Sequence, residues 1–123
     1  MSDKPIAERL QVKGDRRLAV IDAPAPVDAA IGQVEARVAP DQAEVVLLFA
    51  TDRAALDTGL DRWLPRVGAG CLLWVAYPKL TSALAKDLNR DLIRAAMIAR
   101  GLDTVSQIAI DQDWSAMRLK RIA

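Results

Sequence analysis

Histidine is absent from this chain of 123 residues, and cysteine occurs once, at Cys71. Without histidine the chain lacks the commonest general base and metal ligand, and a Ser-His-Asp triad is excluded. A single cysteine excludes an internal disulfide and any metal site built from several thiolates. Cys71 lies in an apolar run, which is typical of a buried and inert thiol. We therefore expect no metal site, no cofactor and few routes to catalysis.

Neither sign of charge is in excess, because 17 basic residues face 16 acidic ones and the net charge is +1. No strong field therefore favours nucleic acid or anionic lipid. No apolar run approaches the roughly 18 residues that a membrane span needs. The N-terminal segment MSDKPIAERLQVKGDRR is charged throughout and lacks the apolar core of a signal peptide. We expect a soluble, cytoplasmic protein with no nucleic-acid and no membrane partner.

Glycine is scarce, with six residues in the chain, and none follows the first apolar run, RLAVIDA, at 17–23. In nucleotide-binding α/β domains, glycines at that place permit unusual backbone angles, let the chain approach the ligand and present N–H donors. Pro24 and Pro26 stand here instead, with fixed φ, a bulky ring and no N–H. Asp28 adds a carboxylate where an anionic ligand group would meet a helix N-terminus. The pattern predicts a structural loop rather than a nucleotide loop.

What the chain does contain, with 52% apolar residues, is an alternation of strands and helices. Two apolar runs, 43–50 and 71–78, show no polar alternation, which predicts central parallel strands buried on both faces. A helix capped by Thr51 or Asp52 follows the first run, and leucines four residues apart predict a longer helix over 82–100 that ends at Gly101. The remaining predicted elements are strands at 17–23, 33–39, 104–111 and 114–122 and a short helix from Pro26 to Gly32.

The last two strands are joined by only two residues, which permits an antiparallel hairpin but not a parallel crossover. The predicted fold class is α/β: a doubly wound, mostly parallel, Rossmann-like sheet of about six strands, with one antiparallel strand from a C-terminal hairpin. The length suits a single domain over residues 1–123.

This order of elements resembles the class I S-adenosylmethionine-dependent methyltransferase fold. In that family the first strand runs into the pattern D-x-G-x-G-x-G. Asp22 matches the Asp, whereas Pro24, Pro26 and Asp28 stand at the three glycine positions. The resemblance implies a methyltransferase-like fold, and the failure of the motif at every glycine puts the cofactor in doubt.

The second half of the chain also resembles a family of small bacterial proteins of unknown function. The segments that carry this resemblance are LLWVAYPK at 72–79, DL at 87–88, GL at 101–102 and DWSAMR at 113–118. An N-A-P or similar turn ends the first strand in that family, and DAP at 22–24 is similar to it. The resemblance implies a fold and a bacterial origin, and it implies no activity.

A ligand site is predicted at the carboxyl ends of the parallel strands, where α/β sheets bind ligands. The candidate residues are Asp22, Tyr77, Lys79 and Asp111, joined by Trp114 and Ser115 at the start of the antiparallel last strand. The alternative is a structural role, because Tyr and Trp at strand ends often pack while their polar tips find a partner. Asp111 and Asp113 also suit a hairpin turn. The Tyr77–Pro78 bond is either cis or trans.

Arg118 lies inside the last strand, and in an interior strand its guanidinium would be partly buried and would need a carboxylate. Asp87 and Asp91 are four residues apart on the predicted long helix and therefore share a face. The sequence predicts a structural ion pair between Arg118 and one of them, with anion binding as the alternative.

Three functions are compatible with these observations. The first is a non-catalytic module on a degenerate methyltransferase-like scaffold, which binds an unknown small ligand or a protein partner. The second is an enzyme with an unusual active site around Tyr77, Lys79, Asp111 and Trp114. The third is a mainly structural homo-oligomer, which a broad apolar surface patch would favour.

Overall fold

The computed structural model describes residues 6–10, 12, 16–25, 27, 42–66, 71–83, 85 and 87–121. Its elements, in chain order, are helix α1 (Ile6–Arg9), strand β1 (Leu18–Ile21), strand β2 (Val45–Phe49), helix α2 (Arg53–Trp63) with a 3-10 turn (Leu64–Arg66), strand β3 (Leu72–Pro78), helix α3 (Arg90–Ala99), strand β4 (Leu102–Ala109) and strand β5 (Trp114–Arg121). The predicted strand at 33–39 lies outside the described residues, and so does the predicted helix from Pro26 to Gly32, apart from Val27.

The five strands form one mixed sheet in the order β1-β2-β3-β5-β4. Strands β1, β2 and β3 are parallel, and β5 runs antiparallel to both of its neighbours, β3 and β4. The last strand is therefore interior, which is the condition under which partial burial of Arg118 was expected. The α/β class and the antiparallel hairpin strand are confirmed. A sixth strand and double winding stay predictions.

The sheet buries apolar side chains on both faces, because successive residues of a strand point in opposite directions. One face, here called the α2/α3 face, packs Val46, Leu48 and Val75 against Leu56 of α2 and Ile93 of α3. The other, the α1 face, carries Val45, Leu47 and Trp74 together with Ile6 and Leu10. All five residues of β2 are buried, which confirms the strand expected from the apolar run at 43–50. Cys71 is half-buried against the α2/α3 face rather than fully buried.

Helix α2 begins where the sequence predicts. Asp52 is its N-cap, and its side chain accepts the backbone N–H of Ala55 at 2.8 Å. That bond satisfies one of the N–H groups that a helix leaves unpaired in its first turn.

Helix α3 is shorter than the predicted helix over 82–100. It begins at Arg90, because Asn89 is the N-cap and accepts the backbone N–H of Leu92 at 2.9 Å. Its C-terminal end agrees with the prediction, since Gly101 follows the helix with φ 78°, the left-handed conformation that glycine adopts without strain.

The described residues before α3, at 79–83, 85 and 87–89, form turns and bends and no helix, although the leucines of this segment are spaced by four. Asp87 accepts the backbone N–H of Arg53 at 2.8 Å and so ties the segment to the start of α2. Leu88 is buried from this loop, whereas Leu80 is 70% exposed. The burial of Leu88 and the hydrogen bond between Asp87 and the start of α2 are therefore found in place of the continuous helix that the leucine spacing predicts.

Arg118 lies on the opposite face of the sheet from α3. It pairs with Trp74 across the β3–β5 ladder, and Trp74 belongs to the α1 face. The register of β5 therefore places this side chain on the other face of the sheet from Asp87 and Asp91, which argues against the predicted ion pair. The sequence prediction did not take this into account, because the side-chain direction in β5 depends on its register, which the sequence does not specify.

Candidate functional site

A cleft of roughly 500 Å³ opens at the carboxyl end of β3, between β5, β4 and the start of α3. Its volume lies within the range of small-molecule sites in proteins. The lining residues are Tyr77, Lys79, Leu80, Thr81, Asn89, Arg90, Asp91, Gln107 and Ser115.

The floor of the cleft is formed by neighbouring strands. Tyr77 of β3 is the register partner of Ser115 of β5, so the two side chains point to the same face of the sheet. Gln107 of the edge strand β4 is the register partner of Met117, which belongs to the α2/α3 face. Its Nε2 donates a hydrogen bond to the Tyr77 hydroxyl oxygen at 3.0 Å.

Two residues of this floor that carry hydroxyl groups are almost fully buried. Tyr77 is 4% exposed and Ser115 is 6% exposed. Among the described residues, the Ser115 hydroxyl has no hydrogen-bond partner, and the Tyr77 hydroxyl accepts from Gln107 but has no acceptor for its own hydrogen. Buried polar groups are nearly always hydrogen-bonded in proteins, so both groups present unused hydrogen-bonding capacity to the cleft.

The loop after β3 forms one wall and is fixed to the β4–β5 hairpin. The backbone N–H of Lys79 donates to the carbonyl of Asp113 at 2.8 Å. The Ser82 hydroxyl donates to the Asp113 carboxylate at 2.9 Å, and the Ser82 backbone N–H donates to the Lys79 carbonyl at 2.9 Å. Lys79 is therefore held at the cleft by its backbone while its ammonium group stays unpaired with any carboxylate among the described residues.

The first turn of α3 forms another part of the lining. Arg90 and Asp91 are its first residues, and their charged groups are 3.9 Å apart and largely exposed. Burial raises the pKa of the Tyr77 hydroxyl above its usual value, and the nearby Arg90 charge opposes this rise only in part. Tyr77 is therefore a neutral hydrogen-bond donor at physiological pH.

The structure brings Tyr77, Lys79 and Ser115 together and leaves the other three predicted residues apart. The Asp111 carboxylate accepts the backbone N–H groups of Asp113 and Trp114 at 2.8 and 2.9 Å, as its position in a hairpin turn suggested. Trp114 is buried on the α1 face, edge-to-face with Phe49 at 5.1 Å between ring centroids. Asp22 is exposed at the end of β1, with β2 between that strand and β3. The Tyr77–Pro78 bond is trans.

Sequence reasoning missed several residues of the cleft: Leu80, Thr81, Asn89, Arg90, Asp91 and Gln107. Asn89 could have been recognised, because an Asn directly before an amphipathic segment is a helix N-cap pattern. Recognising it would have moved the helix start to Arg90 and placed Arg90 and Asp91 in a first turn. Nothing in the sequence pointed to Gln107, because its position depends on the β4–β5 register and on the irregularity between Thr104 and Ser106.

The loop after β1 departs from the S-adenosylmethionine pattern in its described residues, 22–25, none of which is glycine. Asp22 adopts φ 60°, a left-handed conformation that is uncommon outside glycine. Ala23 packs against the α1-face cluster, and Pro24 is half-buried beside it. Pro24 has no N–H to offer a ligand. Pro26 and Asp28 lie outside the described residues.

In the part of the chain that the structure describes, no group of three His, Cys, Asp or Glu side chains is arranged to hold a metal ion. Over the same residues, no helix has the length and apolar character required to cross a bilayer.

Comparison with known proteins identifies the fold. No protein-family model matches the sequence, and no curated protein matches it either. The structure is similar to LepI in complex with SAM, with TM-score 0.54 and 14% identity over 94% of this chain, although the chain spans only 39% of LepI. It is also similar to DhpI in complex with SAH, with TM-score 0.54 and 11% identity over 95% of this chain and 83% of DhpI. At these identities the likeness concerns the fold, and this chain has a methyltransferase-like α/β fold.

Proposed function

We propose that the protein is a non-catalytic module that binds a small molecule in the cleft between β3, β4, β5 and the start of α3. The observation that carries this proposal is the pair of buried hydroxyls, Tyr77 and Ser115, that line the cleft with hydrogen-bonding capacity unused among the described residues. A ligand that supplies partners for both groups would remove an energetic penalty of the unbound protein.

The rigidity of the cleft walls supports binding of a small ligand. Backbone and side-chain hydrogen bonds join the loop after β3 to the hairpin, and Asp87 joins the end of that loop to α2. A site that is already ordered loses little conformational entropy when a ligand binds.

The chemistry of the lining supports a non-catalytic role. Among the described residues it comprises hydroxyls, amides, the apolar side chain of Leu80, two cations and one carboxylate, Asp91, whose side chain is 93% exposed. General acid–base catalysis requires a titratable group placed at the reacting atoms with a pKa suited to proton transfer. The competing hypothesis of an enzyme requires Asp111 and Trp114 at the same site, and both are engaged elsewhere.

Native mass spectrometry of the purified protein incubated with a bacterial metabolite extract tests this proposal. We expect a non-covalent adduct of a few hundred daltons on the wild type, and we expect that Ser115→Ala and Tyr77→Phe reduce its occupancy. Ser106→Ala is the matched control, because Ser106 is exposed on β4 and does not line the cleft. No adduct on the wild type, or equal loss in Ser106→Ala, would contradict binding at this cleft.

A further inference from the structure

We infer that the ligand of this cleft carries an oxyanion, a carboxylate or a phosphate ester, attached to an apolar group. This inference rests on the proposed function and specifies the ligand class for the same cleft.

The charge of the cleft lining favours an anionic ligand. Lys79 and Arg90 both line the cleft, and Asp91 is the single carboxylate among the described residues of the lining. Lys79 has no carboxylate partner among the described residues, and the Arg90–Asp91 pair is long, at 3.9 Å, with side chains 68% and 93% exposed. Exposed pairs of this kind hold their partners weakly, so both cations are available to an anion.

The unused hydrogen-bonding groups of Tyr77 and of the first turn of α3 are donors. The Tyr77 oxygen already accepts from Gln107, so the hydrogen-bonding capacity left to this hydroxyl is that of a donor. In the first turn of α3, the N-cap side chain takes the Leu92 N–H, and the N–H groups of Arg90 and Asp91 have no acceptor within the helix. A ligand that meets these donors must present acceptor atoms, and a helix N-terminus favours negative charge on them.

The size of the cleft and the exposed Leu80 side chain favour a ligand that also has an apolar group. A volume of roughly 500 Å³ is larger than an inorganic ion requires. Leu80 lines the same cleft and is 70% exposed, the most exposed large apolar side chain among the described residues. An apolar group next to the oxyanion would cover this side chain and gain from its removal from water.

The test compares phenyl phosphate, inorganic phosphate and benzyl alcohol by titration of backbone amide resonances. We expect saturable shifts with phenyl phosphate at the amides of Tyr77, Ser115 and Arg90, and binding at least about tenfold weaker for each of the other two probes, since charged hydrogen bonds and apolar burial each contribute on that order. Lys79→Gln and Arg90→Gln should each weaken phenyl phosphate binding by about tenfold. Lys120→Gln is the charge-matched control, because Lys120 is exposed on β5 and outside the cleft.

The possible outcomes separate this inference from the proposed function. If benzyl alcohol binds as tightly as phenyl phosphate, the inference that the ligand carries an oxyanion is overturned. If inorganic phosphate binds as tightly as phenyl phosphate, the inference that the ligand carries an apolar group is overturned. Absence of saturable shifts with phenyl phosphate overturns the ligand class even when an adduct is retained from the extract. Loss of that adduct as well as of the shifts would overturn the proposed function itself.

Discussion

Tyr77 is the residue whose environment can be measured most directly, because it is the only tyrosine of the chain. Its hydroxyl is buried at the cleft, and burial disfavours the charged phenolate. Phenolate absorbance near 295 nm therefore titrates this one side chain, and the wild type should show a midpoint above the ordinary value of 10.0.

The same shift predicts how stability depends on pH. Above about pH 10 the unfolded chain loses the Tyr77 proton while the folded chain retains it, so the unfolded state binds fewer protons. The free energy of unfolding should therefore be unaffected by this group below that pH and should fall as the pH rises through the folded midpoint. Tyr77→Phe should remove both the absorbance step and this part of the decline. A midpoint at or below 10 would mean that the hydroxyl is not buried.

The neighbours Trp114 and Ser115 illustrate what the sequence could and could not specify about the site. A strand places consecutive side chains on opposite faces, so only one of these two predicted site residues can enter the cleft. Which of the two joins Tyr77 depends on the register, and the structure pairs Tyr77 with Ser115. Register follows from the packing of the whole sheet, and a short segment does not contain it.

Arg118 provides the test of that register. Since it lies on the α1 face and Asp87 is bound to the Arg53 N–H, Arg118→Ala combined in turn with Asp87→Ala and Asp91→Ala should be additive. We expect coupling energies within about 0.5 kcal/mol of zero in urea denaturation, the range of sites without shared contacts. Coupling above about 1 kcal/mol with either Asp would place Arg118 beneath α3 and contradict the register of β5.

Among the elements, the buried strands could be predicted from the sequence, whereas the leucine spacing placed the start of α3 at 82 instead of at Arg90. Continuous apolar runs such as 43–50 have few alternatives to a strand covered on both faces. The leucines at 80, 84 and 88 match a helical period, but a period does not state whether backbone hydrogen bonds form. In the structure, Asp87 caps α2 and Asn89 caps α3, and these side-chain bonds compete with a continuous helix.

Asn89→Ala distinguishes a helix that begins at Arg90 from one that begins at 82, because the two starts predict opposite changes in the free energy of unfolding. As the N-cap of α3, Asn89 should be costly to replace, and we expect a loss of about 1 kcal/mol in the free energy of unfolding. Inside a helix over 82–100 the same change would stabilise by roughly 0.5 kcal/mol, because Ala is the better helix former. Gln112→Ala is the control, since it also replaces an amide side chain by Ala. Gln112 is exposed in the turn between β4 and β5, so this variant should stay within about 0.5 kcal/mol of the wild type. Stabilisation by Asn89→Ala would instead support the longer helix over 82–100.

Over the whole molecule, the loop that carries the glycine pattern in the methyltransferase family and the candidate cleft lie at different strands of the sheet. The likeness to LepI and DhpI covers more than nine-tenths of the chain, whereas the β1 loop lacks the glycines that the family pattern requires. The cleft lies instead at β3 and β5, with β2 between β3 and β1. A shared fold does not carry a shared function, because function depends on the site. The fold could therefore be inferred from the alternation of elements, while the site depended on side chains from four separate segments.

This separation predicts that S-adenosylmethionine does not stabilise the protein. A ligand that binds only the folded state adds about 2.7 kcal/mol at 100 times its Kd, which corresponds to several degrees in Tm for a domain of this size. Because Pro24 offers no N–H and Ala23 packs onto the core, thermal scans with millimolar S-adenosylmethionine or S-adenosylhomocysteine should leave Tm unchanged. A methyltransferase scanned under the same conditions serves as the positive control. A rise of several degrees in this protein would show that the loop after β1 accepts the cofactor despite its prolines.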